Sequence, residues 1–499
     1  MSIITKFQSW SQQLTPFFIY LLLTATLGPL LFGYHLAELN APQDVITCVR
    51  KSLDTTDSPT TSSSLPQCIP MNATQLGLVS SIFTLGGLVG ALASGSLSAR
   101  YGRLLVMRYN TAFLMLGPVA EALSPNILVL SLGRFVSGLG AGTAVVVVPI
   151  YISEIAPPRE KGFFGAFTQI MTNIGILITQ VLGYFLSRGS LWRIILAVAG
   201  LIGLLQAVGL AAAVDSPKWN AENGHTSKAK SDLRKIRGAQ ASIEEEIAGW
   251  EAEDHDEEQQ TLLSSPDNSP SAQPSSVGII GVLRSPDHNR AILAVVVVMI
   301  AQQLCGINSI VMYGVSLLAD LLKSNSALLN ILVSLLNIIA TTGFAPLADT
   351  LGRKPVLLTS IAGMSISSVL LAIGIRAALP LLSAIAVLLF VASFAFALGP
   401  IPFILASELV GPEAVGATQS WALAANWIAT FIVAQFFPLV NQKLGKGTVY
   451  FVFAAIAAVS FVFVGWYVPE TKGKKNVDEV WDIILDESKY NVEASYDYS

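Results

Sequence analysis

The sequence predicts an all-α integral membrane protein of twelve spans, arranged as two six-helix halves with an insert between them. Three observations predict it. The chain of 499 residues is 53% hydrophobic and only 12% charged, with a mean hydropathy of +0.61. Apolar stretches long enough to cross about 30 Å of hydrocarbon recur along it. Charged landmarks then repeat at about half its length.

The scarcity of charge excludes an ordinary soluble fold, in which about 25% of residues are charged. So little polar surface could not cover a soluble protein of this size, whereas lipid wets apolar side chains directly. A net charge of −4, with no basic stripe, argues against a nucleic-acid partner. No nucleophile–base set, metal-ligand cluster or phosphate loop stands out, so no catalytic residue, cofactor or metal is expected.

The expected spans lie near 17–39, 74–98, 104–123, 127–153, 163–187 and 193–213, then near 290–320, 325–348, 354–373, 382–406, 415–438 and 447–468. The first lacks a basic leader and a small-residue cleavage site and is read as a retained span. Arg100, Arg103, Arg159, Lys161, Arg353 and Lys354 fall in loops on one side, which the positive-inside rule makes cytoplasmic. Lys443 and Lys446 lie opposite. An even number of spans puts both termini in the cytoplasm. The expected organisation is residues 1–215 as the first half, 216–286 as a cytoplasmic linker, 287–470 as the second half and 471–499 as a tail.

Two segments are not membrane. The 40–73 loop is rich in Ser, Thr and Pro and holds Cys48 and Cys68, two of only three cysteines. In an oxidising lumen they are expected to form a disulfide, the alternative being two free thiols. Asn72-Ala73-Thr74 is a glycosylation sequon set very close to the second span. The 216–286 insert opens basic (Lys228, Lys230, Arg234, Lys235, Arg237), turns acidic and ends in Ser, Pro and Asn. Its first part suits short surface helices, and its last part suits disorder.

The repeat is concrete. Gly102-Arg103 after the second span returns as Gly352-Arg353 after the eighth, and Glu154 ends the fourth span as Glu408 ends the tenth. Parallel six-span halves with a site between them describe a rocking secondary transporter.

Phe32-Gly33-Tyr34 with Asn40-Ala41-Pro42-Gln43, Gly133-Arg134 leading to Gly138, Gly140 and Gly142, Pro149-x-Tyr151-x-x-Glu154, Asp215-Ser216-Pro217-Lys218-Trp219, Gln302 to Asn308, Gly399-Pro400-Ile401-Pro402, Asn426-Trp427 and Pro469 to Gly473 stand in this order. With them the chain resembles the sugar porters of the major facilitator superfamily, which include animal glucose facilitators and fungal vacuolar-type sugar porters. The resemblance implies that fold, and transport of a hexose or related polyhydroxy solute by alternating access. A non-transporting sugar sensor, or a carrier of a polyol or other solute, is the alternative.

The resemblance also implies a cytoplasmic charge latch of Arg100, Arg103, Glu154 and Lys161, made in the outward-facing state and broken in the other. Its second-half counterpart would use Asp349, Arg353 and Glu408. Here Ala99 replaces an acid, Thr350 an arginine and Val415 a usual cation, so that side is expected to be short of positive charge.

Polar side chains inside spans normally face the bundle interior. The main ones are neutral amides: Gln169, Gln302, Gln303, Asn308, Asn337 and Asn426. An amide both donates and accepts, as a sugar hydroxyl does. Gln169, Gln302, Gln303, Asn308 and Asn337 fall on the family's sugar-contacting positions. Trp427 is expected to offer a ring face. Relatives that bind sugar usually have a glutamate where this chain has Ala395, a tryptophan where it has Phe403 and an asparagine where it has Thr430. Phe403 is carried as a substrate contact in reduced form.

Proton-coupled relatives usually place an aspartate after Phe-Gly-Tyr; here it is His35, with Glu38 about one turn on. These two are the coupling candidates, and facilitated transport is the expectation. Glu258 to Leu263 fits an acidic dileucine signal, so Glu258, Leu262 and Leu263 are expected to engage clathrin-adaptor sorting machinery. A vacuolar, lysosome-like membrane is favoured over the plasma membrane.

Overall fold

The computed structural model describes residues 14–49, 65–238, 243–244, 246–247, 281–284, 286–322, 325–474 and 477–481. The dileucine residues Glu258, Leu262 and Leu263 lie outside them. So does the side chain of Asp349.

The first half comprises α1 (Pro16–Ala37), α2 (Ala73–Tyr101), α3 (Arg103–Ala122), α4 (Ile127–Ile155), α5 (Lys161–Leu186) and α6 (Trp192–Ala211). Local chemistry starts these helices. The Thr15 hydroxyl accepts from Phe18 N and Pro16 opens α1, while Asn72 and Gln75 form a reciprocal capping box on α2. Asn72 is thus a helix cap. Eleven helical stretches among the described residues are long and apolar enough to cross a membrane. The expected crossing not among them is α3, which carries Arg108, Asn110 and Glu121. It is nonetheless built in, and Asn110 Nδ2 donates to Gly140 O at 2.9 Å.

A surface helix, α7 (Thr226–Arg237), follows, realising the basic run of the insert. Its Ala229, Leu233 and Ile236 are buried. Its Arg237 donates to Ile155 O at 2.7 Å and Ala156 O at 3.0 Å, capping the end of α4, and pairs with Glu246 at 2.6 Å.

The second half holds α8 (Pro286–Leu304), α9 (Ile307–Leu322), α10 (Asn325–Leu351), α11 (Arg353–Arg376), α12 (Pro380–Ser393), α13 (Ile401–Glu408), α14 (Pro412–Leu444) and α15 (Val449–Tyr467). Two crossings expected to be continuous are broken. The seventh divides into α8 and α9 at Gly306, whose φ is +97°. The tenth divides into α12 and α13 around a π-helical turn, Phe394–Leu398. Both breaks lie beside expected site residues.

Close approach of α2 and α4 is set by glycine. A Cβ on Gly138 or Gly142 would collide with the carbonyl oxygen of Phe83 or Gly87.

One end of the bundle carries the 40–73 loop (the loop face), the other the insert (the insert face). At the loop face Cys48 and Cys68 are joined as a disulfide, Cα atoms 5.3 Å apart. Trp192 Nε1 donates to Gln67 O at 2.7 Å and Arg193 to Pro66 O at 2.8 Å, tying the loop to α6. Hydrogen bonds between the halves gather at this face: Asn40 with Val311 and Val315, Ser316 to Asp44 at 3.0 Å, Ser81 to Gln435 at 2.9 Å. The halves are therefore closed together at the loop face.

Candidate functional site

Between the breaks of the seventh and tenth crossings the amides meet. Pro402 has no N–H to give the carbonyl of Leu398, four residues earlier. Gln302 supplies the donor: its Nε2 reaches Leu398 O at 2.9 Å and Gly399 O at 2.6 Å. Its Oε1 accepts from Gln303 Nε2 at 2.9 Å and from Asn426 Nδ2 at 2.5 Å. Gln303 Oε1 in turn accepts from Asn308 Nδ2 at 2.6 Å. The four amides thus form one tight chain anchored on a helix break. An amide has two donor hydrogens and two acceptor lone pairs; Gln302 has used all four on these bonds, whereas Gln303, Asn308 and Asn426 keep capacity for a polar solute.

Gln169 and Asn337 do not join this chain. They meet Asn173 and Thr341 in a second polar group between α5 and α10, with every bond at 3.3 Å. Asn173 is 2% exposed and was not among the expected contacts. Its place four residues after Gln169, on the same helix face, is the signal that could have found it.

Trp427 departs from the expectation. It is 4% exposed and lies on Gly87 of α2, where a Cβ would strike its ring. Phe32 and Phe83 pack at 5.6 and 6.4 Å between centroids. Its ring therefore closes the contact between halves, while the neighbouring Asn426 turns to Gln302. Phe403 is 44% exposed and makes none of these contacts.

His35 and Glu38 sit in a buried charged group. His35 Nδ1 is 3.0 Å from Glu38 Oε1, and Arg134 pairs with the same oxygen and donates to His35 O at 2.9 Å. Glu121 accepts from Ser137 Oγ at 2.5 Å and lies 3.9 Å from Arg134 Nη1. All four ionisable side chains are at most 1% exposed. His35, Glu38 and Glu121 could bring ligand atoms within 4.8 Å of one another around a metal, but the Arg134 guanidinium already supplies the positive charge there. Arg134 and Glu121 were missed as members, although an ionisable residue inside a span is itself a signal. Arg134 also lies over the Phe83 ring at 4.6 Å, and Phe83 touches Trp427.

At the insert face each half repeats one device. Arg103 makes a two-pronged pair with Glu154, at 2.6 Å from Nη2 and 2.9 Å from Nε. Asp215 accepts from the backbone N–H groups of Arg103 and Leu104, both at 3.1 Å, at the start of α3. In the second half Arg353 pairs with Glu408 at 3.0 Å, and Glu470 accepts from Arg353 N at 2.9 Å and Lys354 N at 3.0 Å. Gly102 and Gly352, with φ of +90° and +100°, precede the two capped helices. Thr471 also bonds Glu408, and Lys472 Nζ reaches Thr350 O at 2.5 Å.

Three corrections follow. The expected latch of four shrinks to one pair in the first half: Lys161 is exposed and Arg100 lies over Tyr101 at 5.2 Å. The two Arg–Glu pairs are made within each half, with the loop face closed, so they brace helix ends in this state instead of being broken. The expected shortage of cations on the second-half side is eased by Lys472, after the last crossing, whose Nζ reaches Thr350 O.

The chain is similar to known proteins along nearly its whole length. Residues 21–481 match the family described as sugar (and other) transporter. The probable metabolite transport protein YBR241C of Saccharomyces cerevisiae is 34% identical over 466 residues, 92% of this chain and 94% of that one. Vacuolar protein sorting-associated protein 73 of the same yeast is 31% identical over 473 residues, 92% and 95% of the two chains. The human solute carrier family 2 facilitated glucose transporter member 4 is 30% identical over 483 residues, covering 93% and 90%. A partially occluded inward-open structure of the xylose transporter XylE from E. coli aligns with a TM-score of 0.74 at 24% identity, over 93% of this chain and 100% of that one. That likeness shows the fold.

Proposed function

The chain belongs to the sugar (and other) transporter family, and from that premise we propose that it carries a hexose or closely related polyhydroxy solute by alternating access, as a facilitator. The observation that carries this reading is the tight chain of Asn308, Gln303, Gln302 and Asn426 beside two helix breaks. Neutral amides pair with hydroxyls without burying a charge, which is costly in a membrane. The human relative named for facilitated glucose transport supports the solute class. The test is uptake into proteoliposomes of labelled D-glucose, D-xylose and sorbitol, with and without a pH gradient. Saturable, gradient-independent uptake of at least one is expected, and no saturable uptake of any would sink the proposal.

One observation favours proton coupling as the second reading. Two buried carboxylates, Glu38 and Glu121, face one guanidinium and one imidazole, so the group needs one proton beyond Arg134 to be neutral. Accumulation driven by an inward proton gradient, lost in Glu38→Gln and Glu121→Gln, would select this reading over facilitation.

The membrane of residence follows as part of the proposal. The vacuolar protein sorting name of one yeast relative and the acidic dileucine at Glu258, Leu262 and Leu263 support a vacuolar-type membrane with both termini in the cytoplasm, reached through clathrin adaptors.

A further inference from the structure

The two polar groups at mid-depth differ in kind. The chain from Asn308 to Asn426 is short and tight, from 2.5 to 2.9 Å, and stays within the second half. The other spans both halves and closes on itself. Asn173 Nδ2 donates to Thr341 Oγ1, Thr341 Oγ1 to Asn337 Oδ1, and Asn337 Nδ2 back to Asn173 Oδ1, which also accepts from Gln169. Each bond is 3.3 Å, beyond the usual 2.7–3.2 Å range and correspondingly weak.

Of the four only Asn173 is buried; Asn337 and Thr341 are half-buried and Gln169 is exposed, so the group borders accessible space between α5 and α10. In the ring buried Asn173 uses both its amide hydrogen and its amide oxygen. A vicinal diol offers a donor and an acceptor side by side, as the Thr341 hydroxyl does alone. It can therefore take the place of Thr341 between Asn173 Nδ2 and Asn337 Oδ1, accepting from the one and donating to the other at shorter distance, and leave the Thr341 hydroxyl to bond the solute as well. We propose that Asn173 and Thr341 are two further recognition residues for the carried solute, and that solute hydroxyls displace their mutual bond and so cut a tie between α5 and α10. Binding then acts directly on the contact that holds the halves together at mid-depth, a differential interaction of the kind a ligand needs in order to shift two conformations. The proposal rests on the polyhydroxy-solute reading above.

The test uses the full chain in proteoliposomes, with Thr341→Val and Asn173→Leu as shape-preserving variants. Half-saturation for the best carried of D-glucose, D-xylose and sorbitol is expected to rise about five- to fiftyfold in each. Spin labels at Lys161→Cys and Leu351→Cys, on the insert-face ends of α5 and α10, report the tie without any solute. Their distance distribution is expected to broaden in both variants, and in wild type on adding the sugar. Unchanged half-saturation together with unchanged solute-free distances would overturn the proposal. If half-saturation alone stays unchanged, recognition by the pair is refuted and a structural contact is left. If wild type carries no sugar of the panel, the functional reading fails, and the distances alone then decide whether the tie exists.

Discussion

Asn40 Oδ1 accepts the backbone N–H of Val315 at 2.9 Å, while Asn40 Nδ2 donates to Val311 O at 2.8 Å. A fully buried side chain from the end of α1 thus pairs with both members of one helical rung of α9, in the opposite half. To open the loop face, Asn40 must leave that rung. Insertion of a side chain into a helical ladder is one of the recognised causes of bending.

Asn40→Leu should therefore weaken closure at the loop face. Loss of a buried polar pairing costs about 1–3 kcal/mol, which shifts the closed-to-open ratio roughly five- to 150-fold. Distances between labels across the loop face check this. A distribution identical to wild type would show that Asn40 is no latch.

Gln302→Ala should lower stability as well as affinity. Its Nε2 serves Leu398 O and Gly399 O, and its Oε1 receives Gln303 and Asn426. Truncation strands groups on three crossings, so a loss of about 1–3 kcal/mol is expected in the folded protein before any solute binds. Thermal unfolding in detergent, compared with half-saturation for uptake, separates the two effects. A variant as stable as wild type would mean that water replaces the amide.

Cys48→Ser should destabilise the loop face. The bridge closes a segment of 20 residues, worth roughly 3 kcal/mol in the chain-entropy model. Just before the bridged segment, Asp44 accepts from Ser316 in the second half. Non-reduced peptide mapping should recover Cys48 linked to Cys68, and free thiols at both positions would contradict the bridge.

Replacing Leu262 and Leu263 with alanine should move a fluorescent fusion from a vacuolar-type membrane to the cell surface. Unchanged localisation would remove the dileucine as an address.

The sequence determined the spans, the doubling and most of the polar inventory, because these are local properties. A run of apolar residues crosses a membrane wherever it sits, and Gly102-Arg103 and Gly352-Arg353 announce one device used twice. Cys48 and Cys68 share one loop, so their pairing needed little beyond proximity. The partners of the polar residues were decided only by the tertiary structure. Trp427 faces Gly87 because glycine leaves room there, and that turns Asn426 toward Gln302. Asp215 and Glu470 cap helices that begin more than a hundred residues earlier. Arg134 and Glu121 fall in separate crossings, and nothing along the chain sets them beside His35 and Glu38. In lipid every buried polar group must find a partner, but which helix supplies it depends on how closely the backbones approach. That approach is fixed by glycines, helix breaks and packing between residues far apart in the chain.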